Sequence, residues 1–596
     1  IISGAGYRYQ ILKWLYLQGR ANMDFNNGFT EFNNPTGGLG AGGFGLIYYD
    51  NTKKKYNGNY NVSEGVGRQM NYDFLLGGNH RFGDFSIDAS FGGNLYNVYN
   101  RNFNITSTAF TERDVYSIGN GSVFTQNYNF SRRRVNSLYG LAELGYKNLL
   151  YINVTGREDW FSVLNLANNH YFYPSVSGSF IFSELIKDNL TWLDYGKIRG
   201  GWADVGSANG IGAYYGTLNY NFNTNLYSVP GIDFTIGSIS GNDSPNPFVK
   251  PFSVSEKNIG LELKMFRSRV NVDIEVYDKK TDKQIIPAQI SAASGYNTTV
   301  INYGSLQNRG IEFMLDVTPV RTRNFTWNSS FNNAYNTTKV LSLSPGTTRF
   351  TVQDWYNGGA SNEFMGKLVY EVGKPLNQIA AKTYQRDNKG QILLTSGGRL
   401  IATPNDTLFG SADPKFVGGW NNNFRFKKLT LLVHMDYKFG GKVLSGSALN
   451  NLRQGHSKAS LVGRRPGENG VVFDGVYQAG SGPNAGQKNT TAVFGQAFYA
   501  DYRSLQIADP FIFKSDFIKL RNITLSYDFS SLVSTNVKFI KGLVLSASCR
   551  NVAILKKYTP DIDPESFASS GDLRLGYEAV SLPTTRMWGA NLNVKF

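Results

Sequence analysis

Strict two-residue alternation, repeated in runs of about nine to twelve residues from one end of the chain to the other, most narrows what this sequence can fold into. The closing MWGANLNVKF sets Trp588, Ala590, Leu592, Val594 and Phe596 on one face and Met587, Gly589, Asn591, Asn593 and Lys595 on the other. VNVDIEVY repeats the device, with Val270, Val272, Ile274 and Val276 opposite Asn271, Asp273, Glu275 and Tyr277. GIEFMLDV follows suit, and KFVGGWNNNFRF turns at Lys427 and Lys428 to return as LTLLVHMDYKF. His434 falls on the polar register beside Asp436, so it reads as a wet-facing side chain. Further hairpins are expected within residues 4–25, 68–95, 135–158, 174–203 and 517–551, giving about seventeen strands in all.

Connections alternate as well. Short turns are expected around Lys13, Lys147, Ser268, Arg323, Lys427 and Lys541, and long segments over residues 26–67, 96–134, 204–257, 336–414 and 440–516. Short turns on one side and long loops on the other are the arrangement of an outer-membrane barrel. Hydrocarbon offers no partner to a bare N–H or C=O, so strands cross it only in a closed sheet. The predicted fold class is therefore all-β, a transmembrane antiparallel β-barrel with an oily outer face and an interior of Asn, Asp, Glu, Thr and Gly. A soluble sandwich or solenoid is the competing architecture for the same alternation.

Composition removes other classes. Charged residues make up 17% of the chain, below the roughly 25% of ordinary globular domains. The formal charge of +16 is dispersed, with short runs at Lys53–Lys55 and Arg132–Arg134 that read as solvated loop charges. No stripe tracks phosphates, so nucleic acid is not an expected partner. The single cysteine, Cys549, excludes an internal disulfide. No run of about 18 apolar residues marks a transmembrane helix, and IISGAGYRYQI lacks the form of a signal peptide. The glycine-rich NNPTGGLGAGGFG lacks the Lys and Ser or Thr of a phosphate-binding loop, and no nucleophile, base or carboxylate pair forms a catalytic pattern. The chain does not read as an enzyme.

The set LDYGKIRGGWADVGSANG, VNVDIEVYDKKTDKQI, YGSLQNRGIEFMLD, FIKLRNITLSYDF, YTPDIDPES and PTTRMWGANLNVKF resembles the barrel of SusC/RagA-like TonB-dependent transporters, over nearly the whole chain. That resemblance implies a complete barrel of about 22 strands, with the plug, TonB box and first strands expected outside this sequence. It implies a SusD-like surface lipoprotein as lid, TonB with ExbB and ExbD as the energy source, and import of oligosaccharide in preference to peptide; a non-transporting adhesin barrel is the alternative. Tyr214, Tyr215, Asp354, Trp355 and Tyr356 are the expected ligand contacts in the long loops, or else they pack those loops. No cofactor is required. Asp561, Asp563 and Glu565 in YTPDIDPES are candidates for structural calcium, or for organising a loop shaped by Tyr558 and Pro560. Trp588, Leu592, Val594 and Phe596 are expected to close the barrel and to serve as the signal read by the barrel-assembly machinery.

Overall fold

A computed structural model describes the chain except residues 37–48, 51–54, 187, 219, 230–231, 240, 242, 356–364, 538, 566–575 and 579–581. The contacts divide it into two units, residues 1–178, 201–255 and 283–302 in the first and 179–200, 256–282 and 303–596 in the second.

The first unit is an antiparallel meander. Strands β1 (Ile2–Leu12), β2 (Leu15–Asn34), β3 (Lys55–Phe82), β4 (Phe85–Phe110), β5 (Gly121–Tyr146) and β6 (Leu150–Phe161) pair in sequence order. Because side chains alternate, the register sorts β3, β4 and β5 into rows that share a face. Starting at the Gly83 turn, one face carries Phe82, Phe85 and Tyr146, then Leu76 and Phe91, then Phe74 and Leu138, then Tyr72 and Leu95. The opposite face carries Asn79, Asp88 and Glu143, and farther along Asp73, Asn94 and Ser137. The apolar side chains are uncovered, Phe74 at 51% and Phe91 at 57% exposure. Uncovered rings in a continuous band are what a lipid-facing wall presents.

Strands β7 (His170–Phe180), β8 (Leu193–Ser207) and β9 (Phe252–Met265) contribute residues to both units. The second unit contains β10 (Val270–Asp282), β11 (Ser305–Arg321), β12 (Phe325–Ser342), β13 (Phe416–Phe426), β14 (Leu429–Phe439), β15 (Phe517–Asp528), β16 (Gly542–Lys557) and β17 (Met587–Lys595). These also pair antiparallel in sequence order. With those of the first unit they make the seventeen expected strands. The hairpin of β13 and β14 forms in the expected register, from Phe426 opposite Leu429 out to Phe416 opposite Phe439.

Aromatic pairs mark the short connections. Phe85 lies 4.8 Å from Tyr146, Trp192 stacks on Phe266 at 6.0 Å, and Phe539 lies parallel to Phe596 at 6.3 Å. Lys147 and Lys427 reach over the neighbouring Tyr146 and Phe426 rings. Amphipathic rings and cations belong at the level where hydrocarbon gives way to water.

Two expectations need correction. Residues 26–67 and 96–134 were expected to be loops, yet β2, β3, β4 and β5 run far into them, to lengths of 20, 28, 26 and 26 residues. Beyond the apolar band both faces meet water, so the strand persists after its oily alternation stops. The connection at Lys541 is not a tight turn, because a helix over Ser530–Asn536 precedes it.

Close strand packing rests in places on a missing Cβ. At Gly310, on β11, a Cβ would lie 2.6 Å from the Tyr335 carbonyl oxygen and would clash with the Tyr277 hydroxyl and the ring carbon that bears it. Gly310→Ala is therefore expected to cost about 1–3 kcal/mol, seen as a smaller fraction of compact, heat-modifiable barrel on electrophoresis. Adding Tyr277→Ser should restore only part, since the main-chain clash remains; unchanged folding of the single variant would refute the argument.

Candidate functional site

The polar face of the second unit gathers charge from non-adjacent strands. Alternation places Asp273 and Glu275 on one side of β10, and the register sets Glu275 opposite Glu312 of β11. Three carboxylates so close repel unless a cation enters. Arg199 of β8 supplies it: its Nη2 donates to Asp273 Oδ1 at 2.7 Å and to Glu275 Oε2 at 2.7 Å. Asn258 donates to the other Glu275 oxygen at 3.1 Å. Gly260 clears the route, since a Cβ there would lie 2.8 Å from the guanidinium carbon. A cavity of about 620 Å³ opens over this cluster, lined also by Asn332, His434 and Asp436. His434 thus stands on the wet register, as expected from the sequence.

Asp436 leads into a second cluster. Arg521 Nη2 donates to Asp436 Oδ2 at 2.5 Å and to Glu565 Oε2 at 2.9 Å. Lys519, only 3% exposed, donates from Nζ to Asp563 Oδ1 at 2.7 Å and to Glu565 Oε2 at 2.6 Å. Burial pushes the Asp563 carboxyl up, but Lys519, the Thr584 hydroxyl and the Glu565 amide outweigh it and hold it below its usual range. Glu565 behaves alike, burial opposed by Lys519 and Arg521. Of the three calcium candidates, Asp563 and Glu565 meet an ammonium, while Asp561 is exposed with φ of 59°. Among the described residues no three His, Cys, Asp or Glu side chains gather as a metal site.

Two of the segments expected as long loops, together with residues 576–578, form a packed body with its own core. Trp355, Leu368, Ile379, Leu444, Phe498, Tyr502, Phe511 and Tyr577 cluster there. Helix α1 (Gly446–Arg453) is capped by Ser445, whose oxygen accepts from the Ala448 amide at 3.0 Å. The Ser445 and Ser447 hydroxyls donate to the buried Glu578 carboxylate at 2.5 and 2.6 Å. Helix α2 (Gly495–Leu505) carries Tyr502, whose hydroxyl lies 2.9 Å from that of Tyr384. Sequence reasoning missed this body because its contacts join residues far apart in the chain.

The expected ligand contacts are not brought together. Trp355 is 2% exposed and packs on Tyr577 at 4.9 Å between centroids. Asp354 ends a short strand opposite Lys367, and Tyr356 lies outside the described residues. The Tyr215 hydroxyl accepts from the Val300 amide at 2.7 Å and donates to the Ser244 carbonyl at 3.4 Å. Burial raises its phenol above the usual value. Tyr214 is 64% exposed with φ of 65°. On β17, Trp588, Leu592 and Val594 oppose Cys549, Leu545 and Leu543, and Phe596 meets Phe539.

An antiparallel wall with an uncovered apolar band, aromatic margins and a charged polar face defines an outer-membrane β-barrel protein. The model of the TonB dependent receptor-like, beta-barrel family matches residues 3–552, and the chain belongs to that family. It is 23% identical over 588 residues to TonB-dependent receptor P3 of Formosa agariphila, covering 94% of this chain and 54% of that protein. It is 25% identical over 584 residues to TonB-dependent receptor SusC of Bacteroides thetaiotaomicron, covering 93% and 52%. The chain thus spans about half the length of the curated relatives it matches. Among solved structures, the RagAB peptide transporter superposes with a TM-score of 0.75 at 18% identity, over 100% of this chain and 62% of that one.

Proposed function

We propose that this chain is the barrel portion of a TonB-dependent importer that takes up oligomeric nutrient, with peptide as the favoured cargo. The observation that carries the reading is the polar face with its 620 Å³ cavity, where carboxylates, Arg199, Asn332 and His434 stand side by side. Alternating donors, acceptors and both signs of charge suit peptide amides, termini and side chains. The likeness to the RagAB peptide transporter supports the same reading. Oligosaccharide, expected from the family resemblance, would draw on stacking rings, and Tyr215 and Trp355 are engaged in packing.

In this reading a plug and TonB box outside residues 1–596, TonB with ExbB and ExbD, and a SusD-like lipoprotein lid complete the machine. Trp588, Leu592, Val594 and Phe596 serve closure and recognition by the assembly machinery. The test is growth of a deletion strain on defined oligopeptides or oligosaccharides as sole nutrient, together with mass spectrometry of ligand co-purified with the barrel. Loss of growth on oligopeptides alone, with peptides in the purified sample, is the expected result. A defect confined to oligosaccharides would replace the cargo, and wild-type uptake of both would overturn import.

A further inference from the structure

The first unit carries a second cavity, against β3, β4 and β5 beyond their apolar band. Its volume is about 500 Å³, and Arg68, Tyr99, Arg132 and Arg134 line it with Tyr214. Val98 and Arg133, of the other register, also border it, and strand pairing fixes the side on which each arginine lies. Arg68 pairs with Tyr99 and Tyr99 with Arg132, while Met70 pairs with Asn97 and Asn97 with Arg134. These rows continue, two residues at a time, the rows of Phe82, Leu76, Phe74 and Tyr72. The arginines therefore project from the lipid-facing side of the wall.

Their height follows from the same count. From Phe82 to Tyr72 the oily face runs ten residues, about 34 Å along the strand. At a tilt of about 45° that spans about 24 Å of height, close to the ~25 Å apolar band of such barrels. Apart from His80 beside the Gly83 turn, the first polar side chain on this face is Glu158 on β6, opposite Leu138, then Asn136 on β5, Asn97 on β4 and Arg68 on β3. That boundary shifts by one row per strand, as tilted strands beneath a level membrane surface require. Arg68, Arg132 and Arg134 stand just beyond it.

The cluster is built and uncompensated. The Arg68 and Arg132 guanidiniums lie 5.6 and 5.4 Å from the centre of the Tyr99 ring, and Arg134 Nε donates to Asn97 Oδ1 at 2.9 Å. No carboxylate pairs with Arg68, Arg132 or Arg134 among the described residues, whereas Arg101, one row farther out, meets Glu64 at 3.7 Å. We infer that Arg68, Arg132 and Arg134, around Tyr99, bind the phosphate of an anionic lipid headgroup in the leaflet beside the long-loop end of the barrel. Guanidinium forks suit the several oxygens of a phosphate, and the position selects a lipid over a solute bound for the interior. This inference rests on the barrel's orientation and not on its cargo.

The experiment is native mass spectrometry of the protein extracted from its own outer membrane in mild detergent. Wild type is expected to retain a phosphorylated lipid, and Arg68→Gln/Arg132→Gln/Arg134→Gln to retain about a hundredfold less, at about fivefold per cation beside a charged leaflet. Arg101→Gln, already paired, should change retention less than any single member of the cluster. Inorganic phosphate at millimolar concentration should not displace the lipid. Should the triple variant fail to fold, the single Arg68→Gln and Arg132→Gln proteins carry the reading. Equal retention by wild type and variants, or no bound lipid in wild type, would overturn the inference; displacement by inorganic phosphate would reassign the cluster to a soluble anion.

Discussion

Replacing Lys519 with methionine is expected to cost about 3–5 kcal/mol of stability, the usual result of removing one partner from a buried ion pair. Asp563 suffers most: its side chain is 5% exposed, and the hydrogen bonds left to it come from the Thr584 hydroxyl and the Glu565 amide. Glu565 keeps Arg521. The loss should appear as a lower melting midpoint and as new protease cleavage within residues 558–565. Adding Asp563→Asn should restore most of it by removing the uncompensated charge. Both carboxyls are held below their usual range. Their contribution is therefore complete at neutral pH and is lost as pH falls below about 4 toward the folded values. Wild type and variant should converge in acid; a gap that persists there, or identical stability at neutral pH, would defeat the assignment.

What sequence could show depended on whether a residue's role was local. Alternation in VNVDIEVY or LTLLVHMDYKF is a contrast between lipid and water within a single strand, so strands, faces and register could be read there. The contrast ends above the membrane, where Asn and Tyr on both faces of β3 and β4 meet water and the strand no longer announces itself. Sites were harder for the same reason. Asp561, Asp563 and Glu565 stood out as an acidic group, but the cation that Asp563 and Glu565 share is Lys519, 44 residues before Asp563. Arg199 lies 74 residues from Asp273. Rings in loops looked like ligand contacts, yet Trp355 is consumed by a core assembled from distant segments. RRR at Arg132–Arg134 looked like loop charge, while strand pairing sets Arg132 and Arg134 on the oily side of the wall beside Arg68.

Charge also has to be located before it can speak about cargo. The whole chain carries +16, yet the 620 Å³ cavity is lined by Asp273, Glu275, Glu312 and Asp436 against Arg199 alone. Arg199→Met would leave four carboxylates and no lining cation. At ~8 Å and an effective dielectric of ~20, one unit of charge changes the energy of a singly charged ligand by about 2 kcal/mol, about thirtyfold in affinity. In uptake assays at low salt, this variant should take up singly cationic peptides better and singly anionic ones worse, each by up to that factor. Glu312→Gln should shift the preference the other way. Arg199 is 30% exposed, so its removal should cost the barrel only about 1–3 kcal/mol after solvent screening, and folded protein should remain for the assay. Raising ionic strength should shrink both shifts together, because screening acts on the same interaction. Opposite shifts that collapse with salt would place cargo against this wall. Equal or absent shifts in folded variants would mean that cargo passes elsewhere, even if import itself is intact.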